Sequence, residues 1–281
     1  MIYILLDAII DSLKLIPFLF VTYLLMEYLE HKTSKHMHET IKKAGKFGPI
    51  IGGILGIVPQ CGFSVAATNF YAVRVITLGT LISVYLTTSD EMLPILLSES
   101  IPITTIIAIL AVKLFVGIIA GFIIDLIIVK TKNEEEHVVE FCEKEHCHCE
   151  HGIIKSAIKH TLNILVFIFI ITLLLNIVIE FIGEDTLSNL IYNTKILGPL
   201  IAGLIGLIPN CAASVLLSQL YIEGIISAAI LISGLLVNAG IGVLVLLRVN
   251  KDIKENIKII GILYFIGVIV GIFLQLINFT I

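Results

Sequence analysis

The stretch at 48–71, GPIIGGILGIVPQCGFSVAATNFY, occurs twice in this chain. Residues 198–221 read GPLIAGLIGLIPNCAASVLLSQLY, and ten of the 24 aligned positions are identical at an offset of 150 residues. The same offset continues without a gap and aligns 116–127 with 266–277. The chain is therefore two copies of one unit, and each copy has an apolar run interrupted by proline, an amide and cysteine.

The composition is that of a membrane protein with several spans. Of 281 residues, 58% are hydrophobic and 14% are charged, and the mean hydropathy is +1.06, whereas a soluble domain carries roughly a quarter charged residues. A helical span needs about 20 apolar residues, and such runs cover most of the chain. We read the N-terminal segment as the first span, since it lacks the basic region of a cleavable signal peptide. The expected surroundings are a lipid bilayer, and the net charge of −4 gives no reason to expect nucleic acid.

The interrupted segments predict where the two copies meet. Segments broken by glycine and proline at matching places in two halves point to a transporter's site near the bilayer midplane. The arms on either side of Pro59 are each too short to span, so the segment is either one broken span or a hairpin that enters and returns. We favour the hairpin, because a single crossing would make the two copies parallel and contradict the loop charges.

Those loop charges indicate an inverted repeat. The lysine-rich segment 31–46 corresponds to the acidic segment 182–195, and the turn at 98–99 corresponds to 248–249. Positive charge stays on the cytoplasmic side, so matching loops lie on opposite sides of the membrane. With hairpins, 15 of the 18 Lys and Arg residues lie on the cytoplasmic side and both termini lie outside.

The predicted fold is an all-α integral membrane protein, an inverted-topology internal repeat of two five-segment halves with paired broken or re-entrant helices. Residues 1–129 form the first transmembrane repeat, 130–156 a cytosolic linker rich in Cys and His, and 157–281 the second repeat. The expected location is the cytoplasmic membrane.

Two adjacent carboxylates interrupt a predicted span. Asp90 and Glu91 follow Thr87 and Thr88 in TTSDE, and an acid inside a membrane costs roughly 2.5–3.5 kcal/mol even on lenient insertion scales. The two carboxylates, Thr87 and Thr88 are therefore expected to line a substrate path, together with Asn238 of the second copy. A position of the two carboxylates at the outer headgroup level is the alternative. Their counterpart, NAGI at 238–241, places Asn238 opposite Thr88.

The hairpin tips supply further candidate ligands. Gln60 and Asn210 would present amide and backbone carbonyl oxygens, and exposed backbone at that depth must be buried in protein or line a cavity. Cys61 and Cys211 are either soft ligands or small side chains that fit a close-packed tip. Asp11, in the first span, either pairs with a lysine one turn away or relays ions.

The linker resembles a site for soft metals. Thiolate and imidazole at this density suit Zn²⁺, Cu⁺ or a similar ion, although the spacing matches no closed structural zinc site. Weak, exchangeable metal capture or sensing on the cytosolic face is the favoured interpretation, and an ordinary solvated linker is the alternative. The residues are Cys142, His146, Cys147, His148, Cys149 and His151.

The duplicated P-[QN]-C motif, the TTSDEMLP segment and the Cys/His linker together resemble the bacterial family of ten-span heavy-metal exporters. Its members are labelled manganese transporters or arsenic efflux proteins, and the resemblance covers essentially the whole chain. It implies a permease that exports a metal or metalloid across the cytoplasmic membrane.

The leading hypothesis is a secondary transporter that exports a divalent cation such as Mn²⁺, because carboxylates, amides and hydroxyls are hard ligands. The alternative is efflux of arsenite or an organoarsenical, with Cys61 and Cys211 as thiol ligands. Outside secondary transport, the chain would be a passive channel or a structural membrane protein. An enzyme is not expected, and no cofactor other than the transported ion is expected.

Removing the metal-binding groups of the linker is expected to lower substrate affinity or regulation without abolishing transport, because a hydrophilic linker cannot itself form the permeation path. The variant carries serine at Cys142, Cys147 and Cys149 and alanine at His146, His148 and His151. Transport into vesicles checks this. Complete loss of export by a variant that still inserts normally would place the linker in the essential mechanism.

Overall fold

The computed structural model describes residues 47–58, 61–89, 92–129 and 197–279, with single helical positions within 9–24 and 158–174. The predicted first span, the span at 157–181, the linker and the 182–195 loop therefore lie largely or wholly outside the described residues. The described part contains helices joined by turns and short irregular segments, and it contains no strands. Its helices are α1 (Gly48–Gly56), α2 (Cys61–Ala72), α3 (Leu78–Thr87), α4 (Met92–Ser98), α5 (Ile103–Val129), α6 (Leu197–Gly206), α7 (Cys211–Ile222), α8 (Ala228–Val237), α9 (Gly242–Val249) and α10 (Ile253–Leu276).

The sequence repeat is also a repeat of structure. Each helix from α1 to α5 recurs about 150 residues later, as α6 to α10. The contacts recur as well: Ser83 Oγ donates to the Pro49 carbonyl at 2.6 Å, and Ser233 Oγ donates to the Pro199 carbonyl at 2.9 Å. Both copies thus use the same packing of the first helix on the third.

The third helix of each copy begins in the same way. Thr77 caps α3 by accepting from Thr80 N at 3.1 Å, and Ser227 caps α8 by accepting from Ile230 N at 3.4 Å. A hydroxyl at this position satisfies a backbone N–H that has no partner within the helix. The same hydroxyls bond to the last helix of their own copy, at Asp125 (2.7 Å) and at Gln275 (2.7 Å).

The helix α1 runs in the same direction as α3. A Cβ added at Gly48 would meet the Thr80 side chain, and one added at Gly56 would meet Thr87. Residue numbers therefore rise in the same direction along both helices. In the second copy, Gly198 faces Ile230 and Gly206 faces Gly234 and Val237. The contact between α6 and α8 therefore has the same direction.

The helix α2 runs the opposite way. A tight turn at 73–77 joins it to α3, and Thr68 Oγ1 lies 2.5 Å from Tyr85 Oη, which is at a similar distance from the turn on the other side. Because α1 is parallel to α3 and α2 is antiparallel to it, α1 and α2 form a hairpin. The two described arms of the interrupted segment therefore run in opposite directions.

Both central spans are broken. The helix α3 ends at Thr87, with Thr88 as its C-cap, and α4 starts at Met92. The helix α8 ends at Val237, and its C-cap Asn238 accepts through Oδ1 from Gly240 N at 2.9 Å. Gly240 has a φ of +56°, a conformation that glycine adopts without the steric cost of a side chain. The breaks fall where TTSDE and NAGI interrupt the apolar runs.

The broken helices form the core and the long helices surround it. Three described stretches are long and apolar enough to cross a membrane: Ile103–Ile127, Ala228–Val249 and Ile253–Leu276. In the most apolar 18 residues of each stretch, 94% of the broken stretch Ala228–Val249 is buried, compared with 33% of each of the other two. Large side chains such as Phe115, Ile119 and Phe265 stay exposed, as expected of surfaces that face lipid.

Small residues allow the close contacts between broken and long helices. A Cβ added at Gly121 would lie 2.6 Å from the Gly79 carbonyl and 2.8 Å from Pro49 Cβ, and one at Gly271 would lie 2.7 Å from Ser233 Oγ. These glycines belong to G-x-x-x-G pairs, which let helix backbones approach closely in membranes. Packing therefore explains the repeated glycine spacing.

Substituting Gly271 with alanine is expected to destabilise the protein by about 1–3 kcal/mol, because overpacking a tight contact forces helices apart. Gly261 on the same helix is the matched control, since a Cβ added there meets nothing within 4 Å. Gly261→Ala should leave stability unchanged or raise it by about 0.5–1 kcal/mol. Thermal unfolding in detergent measures both, and equal melting temperatures for the two variants would contradict the packing account.

Candidate functional site between two broken helices

A buried polar cluster joins the first hairpin to both broken helices. Thr68 Oγ1 lies 2.5 Å from Tyr85 Oη and donates to the Ser64 carbonyl at 2.7 Å. Tyr85 Oη is 3.1 Å from the Gly242 carbonyl, in the first turn of α9. Ser64, Thr68 and Tyr85 are fully buried. The cluster therefore brings three features to the same depth: the start of α2, the end of α3 and the second helix break.

The first break is held by a buried lysine. Lys113, in the middle of α5, is 0% exposed, and its Nζ donates to the carbonyl of Thr88, the C-cap of α3. The carbonyl end of a helix carries partial negative charge that favours a cation, and a broken helix in an apolar interior needs donors for the carbonyls it frees. Lys113 supplies both the cation at the end of the helix and a donor for the freed carbonyl.

The second break uses neutral groups instead. The Asn238 side chain closes a turn onto Gly240 N, and the residue that corresponds to Lys113 is Leu263, which is fully buried. The first break thus depends on a charge where the second depends on an amide and a glycine. The two halves share a backbone but differ at their centre.

The second hairpin contributes a buried, polar start of α7. Asn210 and Cys211 are 1% and 5% exposed, and Ser214 Oγ donates to the Cys211 carbonyl at 2.8 Å. Asn210 has extended backbone and no capping hydrogen bond from its side chain to α7. Its amide therefore does not serve the usual role of asparagine at the start of a helix.

The predicted hydroxyl ligands are buried and bonded to their own helix. Thr87 Oγ1 lies within hydrogen-bond distance of the carbonyls of Ser83 (2.9 Å) and Val84 (3.1 Å), and Thr88 Oγ1 donates to the Val84 carbonyl at 2.8 Å. In addition, Thr87 packs on Gly56 and Gly117. In this conformation both threonines shape the break, and their oxygens would need to turn to reach a bound ion.

The remaining predicted site residues lie outside the described residues. They are Asp90, Glu91, Gln60 and Asp11 in the spans, and the six linker residues at 142–151. Cys61 is the first residue of α2, and its side chain is not described. Among the residues that the structure does describe, no three His, Cys, Asp or Glu side chains are close enough to hold a metal ion.

Lys113 is the residue whose importance the sequence reasoning missed. A lysine inside an apolar run is a functional candidate by default, and this feature is visible in the sequence. The repeat gives a second signal, because Leu263 takes the place of Lys113 in the second copy. In the same way, Gly240 and Ile241 take the places of Asp90 and Glu91. The acids and the base therefore belong to the same copy, as expected if they balance one another.

The fold and the site define an all-helical membrane protein with a buried polar layer between two broken helices. A protein-family model described as "Putative, 10TM heavy-metal exporter" matches residues 2–150 and 126–249. The chain belongs to this family of heavy-metal exporters, which confirms the resemblance seen in the sequence. No curated protein and no solved structure gives a significant match.

Replacing Lys113 with methionine, which keeps a similar apolar stem, is expected to impair transport at least tenfold and also to lower the free energy of unfolding. The Thr88 carbonyl loses its buried donor, which costs about 1–3 kcal/mol, and a charge retained inside a membrane is a functional candidate by default. Leu263→Met is the control at the equivalent position and should change neither property. A Lys113→Met protein that melts earlier but transports normally would make the lysine merely structural.

Proposed function

We propose that this protein is a secondary transporter that exports a heavy-metal ion through the polar layer between its two broken helices. Membership of the exporter family supports transport. The contact of Tyr85 and Ser64 with Gly242 supports this location of the path, because it brings the first hairpin and both broken helices together. Irregular backbone at membrane depth is tolerated where it lines a cavity, and transporters bind substrate at such places.

The helix directions support an inverted relation between the copies. On α2, Ser64 lies against Gly242, the first residue of α9, and Tyr71, seven residues later, donates to Glu255. Because Glu255 lies in the first turn of α10, just beyond the end of α9, α2 runs parallel to α9. Since α2 is antiparallel to α3, the central span of the second copy runs against that of the first. Corresponding spans in opposite directions are the defining feature of an inverted repeat.

The proposed orientation follows from the charges and from one contact. Arg74, in the turn before α3, pairs with Glu255 at 2.9 Å, at the start of α10. The turns at 73–77 and 250–255 therefore lie on one side, and both belong to the side that basic residues assign to the cytosol. This orientation places the linker in the cytosol and both termini outside, in the cytoplasmic membrane.

We favour a divalent cation such as Mn²⁺ as the substrate. The groups near the breaks are oxygens and amides, and Asp90 and Glu91 directly follow the residues that form the first break. Two carboxylates beside the Lys113 ammonium would leave one net negative charge, which favours a cation in a buried site. Gln60, Asn210 and Asn238 would supply neutral oxygens, and no catalytic step is proposed.

Arsenite or an organoarsenical is the second candidate. Arsenic binds thiolates, and Cys61 and Cys211 stand first in α2 and α7, at equivalent places in the two hairpins. Cys211 is buried beside Asn210. The linker thiols and imidazoles would capture the ion on the cytosolic side in either case.

Two variants distinguish the two candidate substrates. Asp90→Asn keeps the size of the side chain but removes its charge, so it should abolish Mn²⁺ transport and spare arsenite. Serine at both Cys61 and Cys211 should do the reverse if arsenite is the substrate. Vesicle transport of each ion is the measurement, and Glu99→Gln, an exposed acid at the end of α4, is the control. Mn²⁺ transport that survives Asp90→Asn would rule out the carboxylate site.

A further inference from the structure

An ion-pair cluster ties the first copy to the second on one side of the molecule. Glu255 accepts from Arg74 Nη1 and Nη2 at 3.0 and 2.9 Å, from Tyr71 Oη at 2.5 Å and from Asn250 Nδ2 at 2.8 Å. Bidentate pairing of an arginine with a carboxylate fixes the relative orientation of the two groups as well as stabilising their charges. Burial disfavours the charged guanidinium, but its hydrogen bonds to Glu255 outweigh this and raise the pKa of Arg74. Burial raises the pKa of Glu255, but hydrogen bonds from Arg74, Tyr71 and Asn250 outweigh this and lower it to about 2, so both members of the pair are ionised throughout the physiological range.

The repeat does not reproduce this cluster. At the equivalent positions of the other copy, Arg74 becomes Gly224 and Glu255 becomes Thr105, although Tyr71 is kept as Tyr221. Arg74 and Gly224 both have left-handed backbone, with φ of +58° and +72°. A side chain other than glycine is strained in that conformation. The same turn thus carries an arginine, at a cost in strain, only in the copy where it finds a carboxylate.

The contact beneath the cluster is also tighter than its counterpart. Under Arg74, Val65 of α2 and Val73 of the following turn pack with Leu244 and Val245 of α9, and all four are buried. The corresponding stretch of α4 is looser, since Pro94 is exposed where Leu244 is buried, and Ile95 is half-buried where Val245 is fully buried. The two equivalent contacts, α2 with α9 and α7 with α4, are therefore in different states.

We propose that Arg74 and Glu255 form a latch that closes the transport path on the cytosolic side in this conformation and opens during each cycle. This inference rests on the proposed transport function. In an inverted repeat, the two equivalent contacts close opposite ends of the path, and exchange of their states moves access from one side to the other. An ion pair with side chains 40% and 22% exposed can separate into water, which suits a contact that must open repeatedly.

The direct test is to prevent the latch from opening. Cysteines replace Arg74 and Glu255 in a protein whose three linker cysteines are serine, and a reducible bifunctional thiol reagent joins them. Transport of Mn²⁺ or arsenite in vesicles should stop on cross-linking and return on reduction. Each single-cysteine variant with the same reagent is the control and should keep transporting. Full transport by the cross-linked protein would show that the contact between Arg74 and Glu255 does not open during transport, and it would overturn the latch.

A second test needs no transported substrate. Cysteine replaces Val245, which lies beneath the latch, and an impermeant maleimide is applied from the cytosolic side. Glu255→Gln should raise the labelling rate severalfold, and the reversed pair Arg74→Glu with Glu255→Arg should restore protection. Glu223→Gln removes the same charge from the equivalent turn of the other copy and should leave the rate unchanged.

The labelling result separates the two proposals. Unchanged labelling in Glu255→Gln, or no rescue by the reversed pair, would overturn the latch while leaving transport intact. If the wild-type protein transports neither ion while Glu255→Gln still raises the labelling rate at Val245→Cys, the proposed substrates are overturned and the latch is not.

Discussion

The structure depends on satisfying the backbone groups that two broken helices expose inside an apolar interior. Each unpaired N–H or C=O in hydrocarbon costs several kcal/mol, so a break is stable only where other parts of the protein supply partners. Lys113 and the Asn238 side chain do this directly, at the two breaks. The hairpin residues Ser64 and Thr68 and the Tyr85 hydroxyl fill the space between them. The polar layer exists because the breaks exist, and the long outer helices shield it from lipid.

The difference between the copies has a functional meaning. Duplication gives both halves the same hairpin, the same serine contact to proline and the same glycine spacing. Besides the loops and the pair Asp125 and Gln275, charge departs from that symmetry at the centre, with Lys113 bonded to the end of α3, and at the turn before α3, with Arg74 against Glu255. Because the backbone is shared, we interpret these differences as the places where the proposed transport site and the proposed latch were added to a common scaffold.

Much of the fold could be predicted from the sequence because the repeat and the glycine spacing are local patterns. The offset of 150 residues gave the correspondence of all the described helices, and the places where TTSDE and NAGI interrupt apolar runs gave both breaks. The hairpin direction followed from counting charged loops. These signals survive folding because small residues and breaks have few structural alternatives inside a membrane.

The candidate site was less predictable because side-chain partners come from distant parts of the chain. Thr87 and Thr88 were expected to face a cavity, yet a hydroxyl next to a helical carbonyl bonds to its own helix. Arg74 and Glu255 are 181 residues apart, and the loop charges suggested only that they share a side. Lys113 was visible as a charge, but its partner, a backbone carbonyl, has no sequence signature. The positions of Asp90, Glu91, Gln60 and the linker groups stay predictions.

The central claim is that two oppositely oriented copies meet at the polar layer, and sided labelling of the loop at 182–195 tests it most directly. Single cysteines introduced there and in the matching loop at 31–46 are exposed to an impermeant thiol reagent from each side of the membrane. The account predicts labelling of the 182–195 loop from outside and of the 31–46 loop from the cytosol. Labelling of both loops from the cytosolic side would make the copies parallel and contradict the account.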